Sequence, residues 1–156
     1  MITFSGTYDC KMDSKGRIVL PARLKARLPV GAGQKIVILR GFKKCLTIFT
    51  LDQWEEKLKA FAKVSEYDEA GRNFIRSYTN GMMEDELDGQ GRLSLNKRLI
   101  DYAKLGSDVV VTGVGDLIEI WNTAEYENEI ESDRSKLQAT ARNIFDSPKT
   151  PESNGQ

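Results

Sequence analysis

Apolar and polar side chains alternate from Phe4 to Met12, and this period of two residues predicts a strand with one buried face. A turn sequence then leads into a shorter β-favouring run, and Pro21 suits the first position of a helix. Leu24 and Leu28 share one face of that helix, which we predict over residues 22–28. The strands predicted in this part of the chain cover residues 4–12, 17–20, 35–40 and 45–49, the last two joined as a hairpin.

Helical spacing follows the hairpin. Asp52 and Glu55 stand three residues apart, as in a capping box, and a second helical run extends from about Tyr67 to Tyr78. We therefore predict a helical connector over residues 51–78 that packs between two halves of the molecule. The residues that share the apolar face of its first helix are Trp54, Leu58 and Phe61.

The same order of elements recurs in the second half of the chain. Asp88-Gly-Gln-Gly-Arg92 echoes Asp13-Ser-Lys-Gly-Arg17, and the run from Val109 echoes the run from Val37 at a slightly shorter offset. We interpret this as a tandem duplication of a β-turn-β-α-β-β-α unit. The predicted segments are a first repeat at 4–50, the connector at 51–78, a second repeat at 79–122, a C-terminal helix at 123–146 and a disordered tail at 147–156.

Both copies of the turn carry the same chemistry. An aspartate side chain can hydrogen-bond the backbone just ahead of it, so Asp13 and Asp88 are each expected to open a turn. The glycine that follows supplies a positive φ, and an arginine stands directly after it. A planar cation on a rigid turn suits phosphate oxygens or the edge of guanine.

Basic residues accumulate in the first copy and thin out in the second. Where the first copy has Lys15, the second has Gln90, and in the helix that follows Lys25 and Arg27 are replaced by Ile100 and Tyr102, although Lys97 and Arg98 remain. If one copy binds a polyanion, we expect it to be the first. The candidate nucleic-acid contacts are Arg17, Lys15, Asp13, Arg23, Lys25 and Arg27, with Arg92 as the equivalent of Arg17 in the second copy.

The formal net charge is zero, but the two signs are unevenly distributed. Residues 1–49 hold 10 basic and 2 acidic side chains, a balance of +8, and the remaining residues balance this at −8. A nucleic-acid-binding half attached to a non-binding half would have this pattern. Head-to-tail contact between copies of the chain would also use it, and a solvated surface with uneven signs is the third interpretation.

Composition narrows the function classes. The chain has no histidine, which removes the commonest general base and most zinc sites, and its two cysteines lie too far apart for a metal or redox motif. We therefore expect no enzyme activity, no metal and no cofactor, and we expect both cysteines to be small buried apolar residues. The start of the sequence has no signal-peptide pattern and no apolar run has the length of a membrane span, so we expect a cytoplasmic protein.

Three motifs together resemble the MraZ family over roughly residues 1–131. They are the Asp13-Ser-Lys-Gly-Arg17-Ile-Val-Leu-Pro21 opening, its echo at Asp88–Arg92, and Gly113-Val-Gly-Asp-Leu-Ile-Glu-Ile-Trp121. The departure from the family pattern is Leu93-Ser-Leu-Asn96, where a more apolar strand usually runs into proline.

The resemblance implies a β-rich α+β fold of two tandem AbrB/MazE-like swapped-hairpin repeats, which form a pseudo-two-fold β-barrel flanked by helices. It also implies a transcriptional regulator, expected to be a repressor, that acts on the division and cell-wall gene cluster. Such a protein would assemble as a homo-oligomeric ring on guanine-rich direct repeats in double-stranded promoter DNA. Arg17 would then be the main DNA contact, with Asp13 shaping its turn and Asp88 and Arg92 as the second copy.

Two other function classes compete with this interpretation. An antitoxin-like protein-interaction module would use the acidic C-terminal part to occupy a partner, but such a module is expected to carry a longer tail than residues 147–156. A histidine-free hydrolase would need two carboxylates placed around a cleft, and the sequence does not indicate such a pair. We rank them below the regulator in that order.

Overall fold

The computed structural model describes residues 3–29 and 35–146. The predicted tail at 147–156 lies outside the described residues. The strands are β1 (Thr7–Lys11), β2 (Arg17–Val19), β3 (Lys35–Arg40), β4 (Cys45–Thr50), β5 (Met83–Glu86), β6 (Arg92–Ser94), β7 (Asp108–Val114) and β8 (Leu117–Asn122). The helices are α1 (Ala22–Lys25), α2 (Leu51–Phe61), α3 (Glu69–Tyr78), α4 (Lys97–Ala103), α5 (Thr123–Asp133) and α6 (Leu137–Phe145).

The two halves of the chain interleave in one antiparallel sheet. Six strands lie in the order β1-β7-β8-β4-β3-β5, and β2 and β6 form a separate two-stranded ribbon. Strand β1 from the first half pairs with β7 from the second, and β5 from the second half pairs with β3 from the first. Each half therefore completes the sheet of the other, and the ribbon takes one strand from each.

The strand registers relate the two halves by an approximate two-fold rotation. In the ribbon, Ile18 lies opposite Leu93, its own equivalent in the second copy of the turn motif. In the sheet, Thr47 lies opposite Glu119, its own equivalent in the second copy of the hairpin. A two-fold rotation that exchanges the two halves of the chain maps each of these residue pairs onto itself. The rotation axis therefore passes near both pairs.

The mixed α+β architecture with an antiparallel sheet agrees with the predicted fold class. Among the described strands the sheet is open, with β1 and β5 at its edges. The ribbon covers one face of it, and the main core lies between ribbon and sheet. The fully buried side chains of this core include Ile18, Leu24, Ile38, Ile48, Leu93, Leu99, Ile118 and Ile120.

Strands β3 and β4 are buried on both faces, because α2 and α3 cover the side of the sheet away from the ribbon. Trp54 of α2 packs there against Val37, Leu39 and Phe49. A third, smaller cluster joins Cys45, Val110 and Trp121 beneath α5. Burial on both faces explains why the sequences of these strands are continuous apolar runs. In β1, by contrast, exposed and half-buried residues alternate.

Two predicted helix starts differ from the structure. The capping box of α2 uses Thr50 and Gln53 rather than Asp52 and Glu55, because β4 runs directly into the helix and brings Thr50 to the N-cap. Helix α3 begins at Glu69 rather than near Tyr67, since the Asp68 side chain accepts a hydrogen bond from the amide of Gly71 and so caps it.

Two predicted helices are shorter or broken. The helix predicted over residues 22–28 is regular only from Ala22 to Lys25, after which hydrogen bonds between residues three apart tighten the chain. Leu24 and Leu28 are nevertheless both buried, as their spacing predicts. The C-terminal helix predicted over 123–146 is divided into α5 and α6 by a 3₁₀ turn, Arg134–Lys136.

Both cysteines were expected to be buried apolar residues, and the structure buries Cys45 fully and Cys10 in part. Cys45 is buried, and burial together with the neighbouring Glu119 raises the pKa of its thiol to about 12. Cys10 is half-buried, and burial followed by the charge of Asp9 raises the pKa of its thiol above the ordinary value. Neither thiol is ionised at neutral pH, so neither is a reactive nucleophile.

Candidate nucleic-acid interface

The first turn is built around the carboxylate of Asp13. Its Oδ1 accepts hydrogen bonds from the backbone amides of Lys15 and Arg17, both at 2.9 Å, and its Oδ2 accepts one from Arg17 Nε at 2.7 Å. Gly16 adopts a φ of +74°, and its amide donates to the Asp13 carbonyl at 3.0 Å. The aspartate therefore shapes the turn and also orients the guanidinium.

The second turn has the same geometry. Asp88 Oδ1 accepts from the amides of Gln90 and Arg92 at 2.9 Å, and its Oδ2 accepts from Arg92 Nε at 2.7 Å. Gly91 has a φ of +73°, which a residue with a side chain adopts only with strain. Two independent stretches of sequence thus hold an arginine in one and the same way.

Both carboxylates are held in the ionised state. The pKa of Asp13 is lowered chiefly by the backbone hydrogen bond from Arg17. The pKa of Asp88 is lowered to about 2, first by the backbone hydrogen bond from Arg92 and then by its guanidinium. Each arginine engages its aspartate through Nε, and the terminal nitrogens Nη1 and Nη2 have no partner among the described residues. These two nitrogens form the fork that binds guanine or phosphate in a bidentate way.

The ribbon brings the two arginines onto one outward face, where their side chains are 30% and 25% exposed. Arg17 lies opposite Ser94, and Val19 lies opposite Arg92. Because Ile18 and Leu93 point into the core, these four side chains point outward. Arg17 and Arg92 are diagonal neighbours, a relationship that places the two residues about 7–8 Å apart. The resulting surface, called here the ribbon face, consists of Arg17, Val19, Arg92 and Ser94.

Lys25 lies beside the second turn, not the first as its position in the sequence suggests. A Cβ added at Gly91 would lie 3.1 Å from Lys25 Nζ and 3.3 Å from its Cδ. At the equivalent place over the first turn, Ile100 Cδ1 would lie 3.0 Å from a Cβ added at Gly16. The helix of each half thus packs on the turn of the other. Each turn therefore has one arginine and one nearby lysine, Lys15 in the first and Lys25 in the second.

Arg23 and Arg27 are not brought to the ribbon face. They line a separate cavity of about 400 Å³ together with Ser5 and Tyr8 near the start of β1. The structure thus separates these two arginines from Lys25, which lies beside the second turn, and a role for Arg23 and Arg27 in binding nucleic acid stays a prediction.

The negative charge of α5 is partly neutralised within the chain. Lys43 lies 3.6 Å from Glu129, and Lys104 lies 3.9 Å from Glu125, so the acidic helix α5 faces basic residues of its own chain. Both pairs are largely exposed, and such pairs contribute little to stability. The sequence pattern missed these pairs because the partners are remote along the chain.

A family model described as "MraZ protein, putative antitoxin-like" matches residues 3–77 and 80–146. The chain belongs to the MraZ family. The resemblance drawn from the two Asp-x-x-Gly-Arg motifs and the Ile-Glu-Ile-Trp run is confirmed by this match.

Relatives in this family resemble the chain over most of its length. A protein of Cytophaga hutchinsonii named transcriptional regulator MraZ is 37% identical over 134 residues, which are 86% of this chain and 89% of the relative. Proteins of the same name from Bifidobacterium longum and Christiangramia forsetii are 38% and 30% identical, over 79% and 93% of this chain and 79% and 94% of the relatives. The role in these names is not an enzymatic one.

None of the helices within residues 3–29 and 35–146 has the length and apolar composition of a membrane span.

Proposed function

We propose that this protein is a transcriptional regulator that binds double-stranded DNA sequence-specifically through the ribbon face. One observation carries the proposal: two partly exposed arginines stand on the outward face of one two-stranded ribbon, each fixed by an aspartate through Nε, and their terminal forks have no partner among the described residues. The major groove of B-DNA admits a two-stranded ribbon, and an arginine fork matches the O6 and N7 acceptors of guanine. The names of the relatives support the same role.

Each residue of the interface has a distinct task. Arg17 and Arg92 bind base edges, and their separation of about 7–8 Å spans about two base-pair steps. Val19 offers an apolar contact to a thymine methyl between them. Lys15 and Lys25 flank the ribbon at its two turns and bind phosphates, which positions the ribbon in the groove. Asp13 and Asp88 do not face the DNA but hold the forks in place.

Arg23 and Arg27 have at most a secondary part in this arrangement. They line a cavity beside β1 rather than the ribbon face. If several chains bind one DNA duplex, its phosphates would pass near this cavity. We therefore retain Arg23 and Arg27 as peripheral phosphate contacts. Their loss should cost less affinity than the loss of Lys15 or Lys25.

The finer parts of the proposal concern architecture and target. We propose that the chain arose by tandem duplication of a swapped-hairpin unit, whose ribbon and sheet enclose the core in a barrel-like manner. The self-equivalent strand pairings and the two separate segments matched by the family model support this duplication. By family resemblance, the protein would form a homo-oligomeric ring in the cytoplasm, at the nucleoid. It would repress the division and cell-wall gene cluster by binding promoter direct repeats.

The test is a titration of three variants on the promoter fragment upstream of the protein's own gene. Arg17→Ala and Arg92→Ala should each lose about 1–3 kcal/mol of binding free energy per engaged site, because each removes a bidentate base contact. Arg72→Ala, which removes an exposed arginine of α3 away from the ribbon, is the matched control and should bind like the unmodified protein.

The same titration separates the competing functions. If both ribbon variants bind the promoter as well as the Arg72 control, the ribbon face is not the DNA interface. An antitoxin-like interaction module would show no binding to promoter DNA by the unmodified chain at all. The sequence alone predicts that the first copy makes most of the DNA contact. If Arg17→Ala and Arg92→Ala lose similar amounts of binding free energy, both copies contribute equally, as the two-fold arrangement of the ribbon implies.

A further inference from the structure

A cavity of about 400 Å³ beside the start of β1 has a basic, mainly polar lining and is separate from the ribbon face. Its polar side chains are those of Arg23 and Arg27 and of Thr3, Ser5 and Tyr8, and no described carboxylate lines it. A concave surface lined by charges of one sign concentrates the electric field and attracts ions of the opposite sign. The volume is that of a typical small-ligand site, which is about 300–1,000 Å³. We call this site the arginine cavity.

The charged groups of the arginine cavity have no partners within the described part of the chain. Neither Arg23 nor Arg27 makes an ion pair or a side-chain hydrogen bond with a described residue, and the Tyr8 hydroxyl has no hydrogen-bond partner there either. Leu24 and Leu28 are buried in the core, so they anchor the segment that carries both arginines. Each guanidinium offers up to five N–H donors, and two of them on one anchored segment suit the oxygens of a phosphate group.

Backbone geometry places the Tyr8 ring at the cavity. The ring lies against Gly6, where an added Cβ would be 2.9 Å from the Tyr8 hydroxyl oxygen and 3.1 Å from its Cε2. Gly6 also has a φ of +100°, so the position favours glycine for two reasons. The backbone of Tyr8 is fixed in turn by its pairing with Val111 in β7. The ring therefore forms a rigid wall of the cavity with its hydroxyl available to a ligand.

The second half of the chain provides an internal comparison for this site. Arg98 is the equivalent of Arg23 there, and its Nη1 donates a hydrogen bond of 3.0 Å to the side-chain oxygen of Asn80. Ser5 is the equivalent of Asn80, and its shorter side chain makes no such bond to Arg23. The arginine of the second half thus has an acceptor within the chain, whereas the arginine of the first half has none among the described residues.

Two other polar groups of the cavity differ between the halves in the same sense. In place of Arg27 the second half has Tyr102, whose hydroxyl lies 2.9 and 3.0 Å from two backbone carbonyl oxygens. In place of Tyr8 it has Met83, which carries no hydroxyl group. The second half forms the corresponding strands and helix without these unpaired groups, so the fold does not require them. Their presence in the first half indicates a ligand.

We propose that the arginine cavity binds a small phosphorylated sugar. Arg23 and Arg27 bind the phosphate group through charge-assisted hydrogen bonds. The hydroxyls of Ser5 and Tyr8 bind hydroxyl groups of the sugar, and the Tyr8 ring packs against a face of its C–H groups. An apolar ligand does not suit the site, because it would take both guanidinium groups out of water without giving them a partner.

The inference goes beyond the proposed DNA binding and does not depend on it. The DNA backbone also carries phosphate groups, but each is a diester with a single negative charge. A phosphorylated sugar ends in a monoester, whose charge at pH 7 is about −1.5 to −2. Two arginines in one concave site match the monoester better, and the experiment below includes both sources of phosphate.

Isothermal titration calorimetry of the full chain without DNA tests the site with three probes, which are glucose 6-phosphate, inorganic phosphate and glucose. We expect glucose 6-phosphate to bind most tightly, because it combines the charge contact with the hydroxyl contacts. Inorganic phosphate should bind more weakly, since it has no sugar hydroxyl groups. Glucose should show no measurable binding, since it has no charge.

Four variants assign the binding to the cavity. Arg23→Ala and Arg27→Ala should each weaken the binding of glucose 6-phosphate at least about tenfold, because each removes a charge-assisted hydrogen bond. Arg98→Ala removes the equivalent arginine of the second half, so it is the matched control and should bind like the unmodified protein. Ser5→Asn gives Arg23 the kind of acceptor that Arg98 has, and it should weaken binding without removing a charge. All four side chains are exposed, so thermal melting should be unchanged in every variant.

Each result against the proposal has its own pattern. If the unmodified protein binds neither glucose 6-phosphate nor inorganic phosphate, and Arg23→Ala lowers the affinity for promoter DNA, the cavity binds phosphates of the DNA instead. If inorganic phosphate binds as tightly as glucose 6-phosphate, the proposed sugar contacts are wrong. If Arg98→Ala weakens binding as much as Arg23→Ala, the ligand lies outside the cavity. None of these results bears on the ribbon face, which Arg17→Ala and Arg92→Ala test separately.

Discussion

At the scale of single residues, the Asp-x-x-Gly-Arg motif is a self-contained device. The aspartate uses one oxygen for two backbone amides and the other for the arginine Nε, and the glycine supplies the one backbone conformation that closes the turn. The role of aspartate in opening the turn was predictable from its chemistry. The ion pair between aspartate and arginine was not, because residues four apart meet in a helix by default and here they meet across a tight turn.

This arrangement predicts an unusual proton titration. The folded-state pKa of both carboxylates lies below the ordinary value of 3.8, so their contribution to stability is fully present above about pH 4. It is lost only as the pH falls through the folded-state values, which is about 2 for Asp88. Carbon-13 NMR titration of the side-chain carboxyl groups should therefore place the midpoint of Asp88 near 2 and that of Asp13 below 3.8.

The same property bears on binding. With both aspartates ionised and no histidine in the chain, DNA affinity should stay constant between about pH 6 and 8. An ordinary midpoint for Asp88 would show that its three hydrogen bonds do not persist in solution.

At the scale of elements, the local sequence pattern predicted whether a segment forms a strand, a turn or a helix. It did not predict which strands pair with each other. The alternation in β1, the two turns and the hairpin of β3 and β4 follow from residue period and turn chemistry. The partner of β1 is β7, which lies in the other half of the chain, and no local pattern specifies it. This exchange of strands between halves is why Lys25 lies beside the second turn, although it follows the first turn in the sequence: α1 packs on the turn of the other half.

The exchange predicts which arginine Lys25 works with. Lys25→Ala should weaken binding about equally for all DNA sequences, since it removes a phosphate contact. Its effect should couple with that of Arg92→Ala by more than about 0.5 kcal/mol, because both residues serve the second turn, and it should be closer to additive with Arg17→Ala. Two double-mutant cycles, measured by fluorescence anisotropy on one promoter fragment, check this.

Lys15→Ala is the natural control for these cycles, because Lys15 belongs to the first turn. It should show the opposite preference, with stronger coupling to Arg17 than to Arg92. If Lys25 couples to Arg17 and not to Arg92, its placement over Gly91 does not describe the bound state.

At the scale of the whole molecule, charge turns out to be a weaker guide to assembly than it looks in the sequence. The acidic segment that includes α5 could neutralise the basic half of another copy, but two of its glutamates already face lysines of their own chain. The groove bordered by Phe42, Phe74, Tyr78 and Tyr102 was not predictable from the sequence, because these residues come from three separated segments. Only the folded chain brings them together.

Salt dependence tests the division of labour on the ribbon as a whole. If Lys15 and Lys25 bind phosphates while Arg17 and Arg92 bind bases, each engaged chain neutralises about two phosphates. The logarithm of affinity should then fall by about 1.8 per tenfold increase in salt for each engaged chain. Lys15→Ala combined with Lys25→Ala should abolish most of this slope and leave the preference for the promoter over unrelated DNA intact.

Arg17→Ala combined with Arg92→Ala should do the opposite in the same titrations. The slope should remain close to that of the unmodified protein, while the preference for the promoter disappears, because base contacts carry specificity and phosphate contacts carry most of the salt dependence. Each measurement needs the unmodified protein and the Arg72→Ala control at four or more salt concentrations. A slope that falls with the arginines and a specificity that falls with the lysines would mean that the two roles are reversed. The forks held by Asp13 and Asp88 would then bind the DNA backbone.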